Sequence, residues 1–224
     1  MEKGVKLIGI TQPSKYVQTE LGIKTAEELV AYVARVSNPA NQNNPEYERL
    51  LKYLAKHQHW SPFEMINLVL EINTTRDIAR QILRHRSFAF QEFSQRYAEV
   101  TEDGFATREA RLQDTKNRQN SIETNDEDLA LSWMIKQQQL QHEARLAYKW
   151  AIEKGIAKEQ ARAVLPEGMT LSKMYMNGSL RSWIHYCSLR MGNGTQKEHR
   201  EIATECWNII TDEIPSLKNI LENN

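Results

Sequence analysis

Residues 81–97 read QILRHRSFAFQEFSQRY and bring Arg84, His85, Arg86, Glu92, Ser94 and Arg96 within thirteen positions. Arginine presents five donors in a rigid fork that grips phosphate bidentately, while Ser94 and the neighbouring backbone amides can fill the remaining phosphate oxygens. The segment therefore reads as an anion site. Taken as the end of a helix, Arg84, His85 and Arg86 are splayed by about 100° per residue, so the triplet should contact two different objects, and two anionic ligands would fit. Phe88, Phe90, Phe93 and Tyr97 supply the apolar or stacking walls that a nucleobase or a flat cofactor wants. Two plainer readings stand beside this one. A bare Arg-His-Arg is also what a solvated helix end looks like, and Glu92 beside arginines is also a structural ion-pair partner, although a carboxylate can orient a ring edge as well.

The elements that must position these residues are mostly helical. VKLIGI near the start reads as a strand, and Thr25-Ala-Glu-Glu28 opens a helix with a capping box, running to about Ser37. Asn44-Pro45 offers a cap and an N1 proline for a second helix through PEYERLLKYLAKH. MINLVLEIN reads as a buried strand, and TTRDIARQILRHR as a helix capped by Thr75 that carries the arginine triplet. DEDLALSWMIKQQQLQHEARLAYKWAIEK, from about Asp126 to Lys154, lacks Pro and Gly and forms one long helix stopped by Gly155. A short helix through KEQARAVL, a strand in MTLSKMYM leading to Asn177-Gly178, and helices in SLRSWIHYCSLR and QKEHREIATECWNIITDEI follow. The polar stretch from Glu102 to Asn125 reads as a mobile loop rather than a linker. The expected fold class is α+β: one helix-rich domain over residues 1–224, with a small, mostly antiparallel sheet and a long central helix.

Composition narrows the function classes. The 224 residues carry 29 basic and 29 acidic side chains, so no global field recruits duplex nucleic acid or an anionic membrane. No signal-like leader or membrane span is read, and Cys187 and Cys206 lack CxxC or CxxxH spacing; a cytoplasmic protein with reduced thiols and no structural zinc is expected. Three alternatives compete on the residues. A nucleic-acid-binding helical module would use the same Arg-His-Arg and aromatics, but neutral charge opposes it. A carboxylate-bridged di-metal enzyme is suggested by His142-Glu143 and Glu198-His199, yet no Glu-x-x-His pair occurs, and no metal is expected. Gly192-Asn-Gly194 lacks the third glycine of a dinucleotide fingerprint, and GxxxxGK[ST] is not present.

Arg-His-Arg followed by seven residues and Ser94 resembles the signature of flavin-dependent thymidylate synthases, and it continues here as Glu92-Phe-Ser94-Gln-Arg96-Tyr97 as in that family. The resemblance extends through HQHWSPFE, Ala157 to Pro166, RSWIHYCSLR and TQKEHREIA, covering most of residues 50–205. It implies a homotetramer that methylates dUMP to dTMP with methylenetetrahydrofolate as carbon donor, FAD as hydride carrier and NADPH as reductant. It implies dUMP contacts at Gln81, Arg84, Glu92, Ser94, Gln95 and Arg96, with Arg162 reaching in from another subunit. For FAD, shared between subunits, it implies Ser61, Arg84, His85, Arg86, Glu92, Arg181 and His185. Arg190 matches the arginine at the pyrimidine and is the expected catalytic residue: a fixed positive charge there favours N3-deprotonated uracil and enriches C5. His59 matches a histidine near the folate and flavin face and is not assigned a catalytic part. The resemblance implies that no cysteine need attack uracil, so Cys187 and Cys206 are expected to be buried and inert. Without the resemblance, Ser61-Pro62 is an ordinary turn, His185 a core histidine and Arg190 a helix C-terminal cation. Departures fall at Ala89 and Gln91, where the family has Ser and Asn, and at Ser179, where it has a flavin-contacting Asn.

Overall fold

A computed structural model of the chain describes residues 3–100, 104–218 and 220–221. Its centre is an antiparallel sheet in the order β1(Gly4–Ile10), β2(Asn67–Thr75), β6(Leu171–Ser179), β3(Ala89–Glu92). β2 and β6 pair over nine residues, from Asn67 opposite Ser179 to Thr75 opposite Leu171. Strand alternation sends Leu68, Leu70 and Ile72 of β2, with Met174 and Met176 of β6, into a core where each is fully buried. Burial of such side chains contributes about 1.5–3 kcal/mol apiece. The other face of β2 carries Glu71, whose carboxylate accepts from Asn73 Nδ2 and the Tyr175 hydroxyl, each at 3.0 Å, so that face is polar although largely covered.

Helices α4(Arg76–Ile82), α7(Leu180–Arg190) and α8(Lys197–Glu213) close the apolar face with Ile78, Ile82, Trp183, Tyr186, Cys206 and Ile210. α2(Ala26–Ala34) and α3(Glu48–Lys56) extend this core beside a 3-10 turn at Ser61–Met65, while α1(Lys15–Glu20) lies outside it. The Thr25 capping box forms as predicted, with Glu28 reaching back to the Thr25 amide at 2.9 Å. Asn44-Pro45 does not start α3, which begins at Glu48: the Asn44 side chain instead accepts from the Glu46 amide at 2.8 Å and makes a turn of its own. β6 runs on through Asn177-Gly178, which the sequence reading places beyond the strand, because both are paired with β2. The KEQARAVL segment is helical only as α6(Lys158–Ala161), then tightens into a 3-10 turn before Pro166.

α5(Glu127–Glu153) is the expected long helix, capped by Asp126 and followed by Gly155 at φ +76°. It stands apart from the main core and buries only Gln137, Ala144, Tyr148 and Ala151, whereas Leu131, Trp133, Leu140, Leu146 and Trp150 remain 44–57 % exposed. Gln137 fastens it to the segment before it, accepting from the Arg108 amide at 2.8 Å and donating to the Arg108 carbonyl at 2.9 Å. That segment, read from the sequence as a loop over residues 102–125, contains regular structure. Outside 101–103, which are not among the described residues, it forms a hairpin of β4(Arg111–Gln113) and β5(Ser121–Glu123).

Candidate functional site

α4 ends at Ile82 rather than carrying the arginine triplet as predicted. The His85 amide closes the last turn on the Ile82 carbonyl at 3.0 Å, and the chain then turns tightly into β3. Phe88 explains the early stop: its ring packs edge-on against Trp183 at 4.8 Å and near Tyr186 at 5.9 Å, directly over Gly178. A Cβ at Gly178 would lie 2.4 Å from the Phe88 ring, so β6 admits that ring only because a glycine stands there. The turn leaves Arg84 and Arg86 exposed and points His85 inward. The triplet does face two directions, through turn geometry instead of helical splay.

His85 accepts a hydrogen bond at Nε2 from Arg190 Nε at 2.9 Å and stands edge-on to Tyr186. Burial, followed by the charges of Arg190 and Arg84, lowers its pKa from 6.5 to about 4. The ring is therefore neutral at pH near 7, with its proton on Nδ1. Arg190, the last residue of α7, is fixed through Nε, which leaves the Nη edge of its guanidinium for another acceptor.

Gln81, on the last turn of α4, sits in a directed chain of hydrogen bonds. Its Oε1 can only accept, so the contact with His199 Nδ1 at 3.2 Å makes that nitrogen the donor. His199 Nε2 must then accept, and the Tyr186 hydroxyl donates to it at 3.1 Å. Gln81 Nε2 donates to Gln196 Oε1 at 2.8 Å, and Gln196 Nε2 to Glu198 Oε2 at 3.0 Å. One N–H of Gln81 is left for a ligand. The chain requires a neutral His199, and burial, then the charges of Arg190 and His85, lowers that pKa from 6.5 to about 3. Burial alone would disfavour an ionised Glu198; its own amide in the first turn of α8, Arg108, Gln196 and Arg111 outweigh this and keep its carboxyl below the usual range. Arg108 also donates to both oxygens of Asp77 at 2.9 Å, joining the starts of α4 and α8.

The other predicted residues fall in separate groups. Glu92 accepts from Ser172 Oγ at 2.7 Å and lies 3.5 Å from Arg76, so its arginine partner is the first residue of α4 and not a member of the triplet. Ser94 caps the following turn, accepting from the Arg96 amide at 3.4 Å, while Arg96 Nε is 3.5 Å from Glu159 and Arg162 Nε donates to the Glu159 carbonyl at 3.3 Å. Gln95, between them, is 4 % exposed, and its Nε2 finds no partner. A buried amide donor without an acceptor costs about 1–3 kcal/mol, and a ligand at this turn would relieve it. On α7, Arg181 reaches Glu64 at 2.6 Å in the 3-10 turn that Ser61 begins, and one turn on, His185 stands edge-on to Trp60 at 4.8 Å. His59 lies near Tyr53 and His57. Cys187 and Cys206 are fully buried, and burial pushes both thiols well up.

Sequence reasoning missed Arg108, Tyr186, Gln196 and the pairing roles of Glu198 and His199. The Glu198-His199 doublet was visible as a metal-type motif, but Glu198 is taken by Arg108 and Arg111 and His199 by Tyr186 and Gln81. Among the described residues, no group of three or more His, Cys, Asp and Glu side chains is placed to hold a metal ion. No described helix is long and apolar enough to cross a membrane.

The chain is similar to known proteins over nearly its whole length. Residues 20–216 match the family described as thymidylate synthase complementing protein. A probable flavin-dependent thymidylate synthase of Paramecium bursaria Chlorella virus 1 is 50% identical over 218 residues, covering 97% of this chain and 98% of the relative. The flavin-dependent thymidylate synthase of Synechocystis sp. (strain ATCC 27184 / PCC 6803 / Kazusa) is 48% identical, covering 97% and 99%. In fold, the chain resembles the crystal structure of a UMP/dUMP methylase, PolB from Streptomyces cacaoi bound with 5-Br dUMP, with a TM-score of 0.79 at 23% identity over 99% of this chain and 95% of that one. The chain belongs to the flavin-dependent thymidylate synthases, the family also described as thymidylate synthase complementing proteins.

Proposed function

We propose that this chain catalyses the reductive methylation of dUMP to dTMP, with methylenetetrahydrofolate giving the methylene group and NADPH the reducing equivalents. The observation that carries the reading is the Arg190 to His85 contact: a guanidinium fixed by a neutral imidazole, beside Gln81 and the exposed Arg84. Bound FAD would supply hydride transfer between NADPH and the one-carbon unit, chemistry that no side chain offers. The donor set suits such a cofactor: exposed Arg84 and Arg86 match a diphosphate, and the edge formed by Trp60 and His185 suits a flat ring system. Ser61, Glu92 and Arg181 complete the cofactor contacts in this reading.

The residues of the chain then do four things. Gln81, Arg84, Ser94, Gln95, Arg96 and Arg162 grip the nucleotide, the last from a neighbouring subunit, and the unspent N–H groups of Gln81 and Gln95 serve as donors. Arg190 presents its Nη edge to the pyrimidine and stabilises the N3-deprotonated form, raising electron density at C5. His85, neutral, holds Arg190 in place without competing for the anion. Glu92, pinned by Ser172 and Arg76, orients a ring edge. The groups into which these residues fall within one chain, together with the exposed apolar side chains of α5, favour a homotetramer whose sites are completed across subunits. We further propose that residues 1–224 act as one domain and that the enzyme works in the cytoplasm.

The test is the visible spectrum of the purified protein, followed by tritium release from dUMP labelled at C5 in the presence of methylenetetrahydrofolate and NADPH. A yellow protein that releases tritium is expected. A colourless protein that FAD cannot reconstitute, and that releases none, refutes the proposal.

A further inference from the structure

The hairpin of β4 and β5 and the start of α8 enclose a cavity of about 390 Å3 that the reading above does not use. Every residue on its wall is polar, and Arg111, Arg118, Lys197 and Arg200 face it against one carboxylate, Glu123. Two of those cations are already spent. Arg111 is paired with Glu198, and Lys197 Nζ lies 2.7 Å from both Glu109 and Glu123, contacts that push its pKa up. Arg118 and Arg200 have no carboxylate within ion-pair distance among the described residues. The single carboxylate of the cavity, Glu123, is held by Lys197 and only partly offsets the two guanidiniums, so positive charge is left in excess and a dianion between them would be clamped bidentately.

The wall is built before any ligand arrives. Gln113 Nε2 donates to the carbonyls of Asp114, Arg118 and Asn120 at 3.1, 3.3 and 3.3 Å, which fixes the loop carrying Arg118. Gln196 stands at the N-cap position of α8, but its side chain turns to Gln81 and Glu198, so it does not cap the first-turn amides. Gln196 also lines the cavity, which puts the wall one side chain away from the nucleotide-gripping Gln81.

We propose that this cavity seats the phosphorylated adenosine half of the reductant, with its 2′-phosphate between Arg118 and Arg200. The inference rests on the thymidylate synthase reading, which requires a second nucleotide close to the first. The volume lies at the low end for small-ligand sites and suits one nucleotide half rather than a whole dinucleotide. A compact dianion matches a guanidinium pair, whereas the carboxylates of a folate tail are spread along a chain.

The experiment titrates 2′-phospho-ADP-ribose into flavin-loaded enzyme by calorimetry, with dUMP as control, in the wild type, in Arg118→Ala and in the Arg118→Ala/Arg200→Ala double variant. The probe binds the wild type, and the double variant weakens it about tenfold or more, as loss of charge-assisted contacts to one phosphate should. Arg118→Ala, on an exposed loop, shows a smaller loss in the same direction and guards against a double variant that fails to fold. dUMP affinity and the flavin spectrum stay unchanged, and KM rises for NADPH but not for NADH. The inference is overturned if the probe ignores the wild type, if it binds the variants equally well, if the KM of polyglutamylated methylenetetrahydrofolate rises instead, or if dUMP affinity falls in step. A yellow, dUMP-binding protein that ignores the probe sinks this inference alone; a protein that takes neither flavin nor dUMP sinks the function with it.

Discussion

Replacing His199 by leucine should make the protein less stable at neutral pH, and the deficit should shrink in acid. His199 is fully buried, donates from Nδ1 to Gln81 and accepts at Nε2 from Tyr186. Leucine removes both bonds and strands the buried Tyr186 hydroxyl, at a cost of about 1–3 kcal/mol, and the half-buried Gln81 amide oxygen. The wild type, however, carries an acid-sensitive term that leucine lacks. Its imidazole has a pKa lowered from 6.5 to about 3, so the unfolded chain takes up a proton that the folded chain refuses. Stability from this group is fully present above pH 6.5 or so and is lost as pH falls from there towards about 3. At about pH 5, one and a half units below the unfolded value, the loss is about 2 kcal/mol, taking 1.36 kcal/mol per unit.

Urea unfolding of wild type and His199→Leu at about pH 7 and about pH 5, at one protein concentration, gives four free energies and one double difference. The gap between the two proteins should close by about 2 kcal/mol on acidification. Other acid-labile groups, including His85, are common to both proteins and largely cancel in that difference. A gap that stays constant to within about 0.5 kcal/mol would show that the folded ring protonates like an ordinary histidine, and the directed chain from Tyr186 to Glu198 would have to be abandoned.

Three further outcomes are expected. Arg190→Ala should lower kcat by about a hundredfold to a thousandfold, and Arg190→Lys should recover only part of it because lysine offers no fork to keep both His85 and the pyrimidine; a steady-state kcat within a few-fold of wild type argues against the assigned role. Gly178→Ala should overpack the sheet against Phe88, whose ring is trapped by Trp183 and Tyr186, costing about 1–3 kcal/mol; calorimetry should find Tm lowered by roughly 2–12 °C, and an unchanged Tm would mean the ring moves freely. Cys187→Ala should keep its turnover in the tritium-release assay, since burial holds the thiol protonated, and abolished turnover in a folded variant would restore a cysteine nucleophile.

Local signals were legible where one segment carried the whole cause. The Thr25 capping box, the α5 helix from its Asp126 cap to Gly155, and the apolar run of β2 are each decided within a few residues, and the structure follows them. The end of α4 was not legible, because the agent is Phe88 meeting Gly178 ninety positions away. Nor was the hairpin within 104–125: its strands are three residues long with one apolar residue each, Leu112 and Ile122, too short a run for alternation to be read, and the segment is secured from outside by Gln137 and Glu198. The candidate site divides in the same way. The residue types around Arg84 suggested an anion site, while the residues that hold Gln81 and His85, namely Tyr186, Gln196 and His199, gave no signal of that role until the helices are packed together.

The charge balance shows why composition was silent about that site. With 29 cations and 29 anions the chain has no net field, yet the acids are not shared evenly among the arginines. Arg76, Arg80, Arg96, Arg108, Arg111 and Arg181 each have a carboxylate partner. The exposed pairs among them, those of Arg80, Arg96 and Arg181, contribute only about 0–1 kcal/mol each, so their energetic role is small. The electrostatic role of the six pairs is larger, because every carboxylate engaged by another arginine is withheld from the triplet. Arg84 and Arg86 have no carboxylate within ion-pair distance among the described residues, and the histidine between them is kept neutral. Local positive potential thus arises by segregation inside a neutral chain. Most of the segregating pairs join residues distant in sequence, such as Arg80 with Glu167 and Arg181 with Glu64, so only the folded chain reveals which guanidiniums remain for a phosphate.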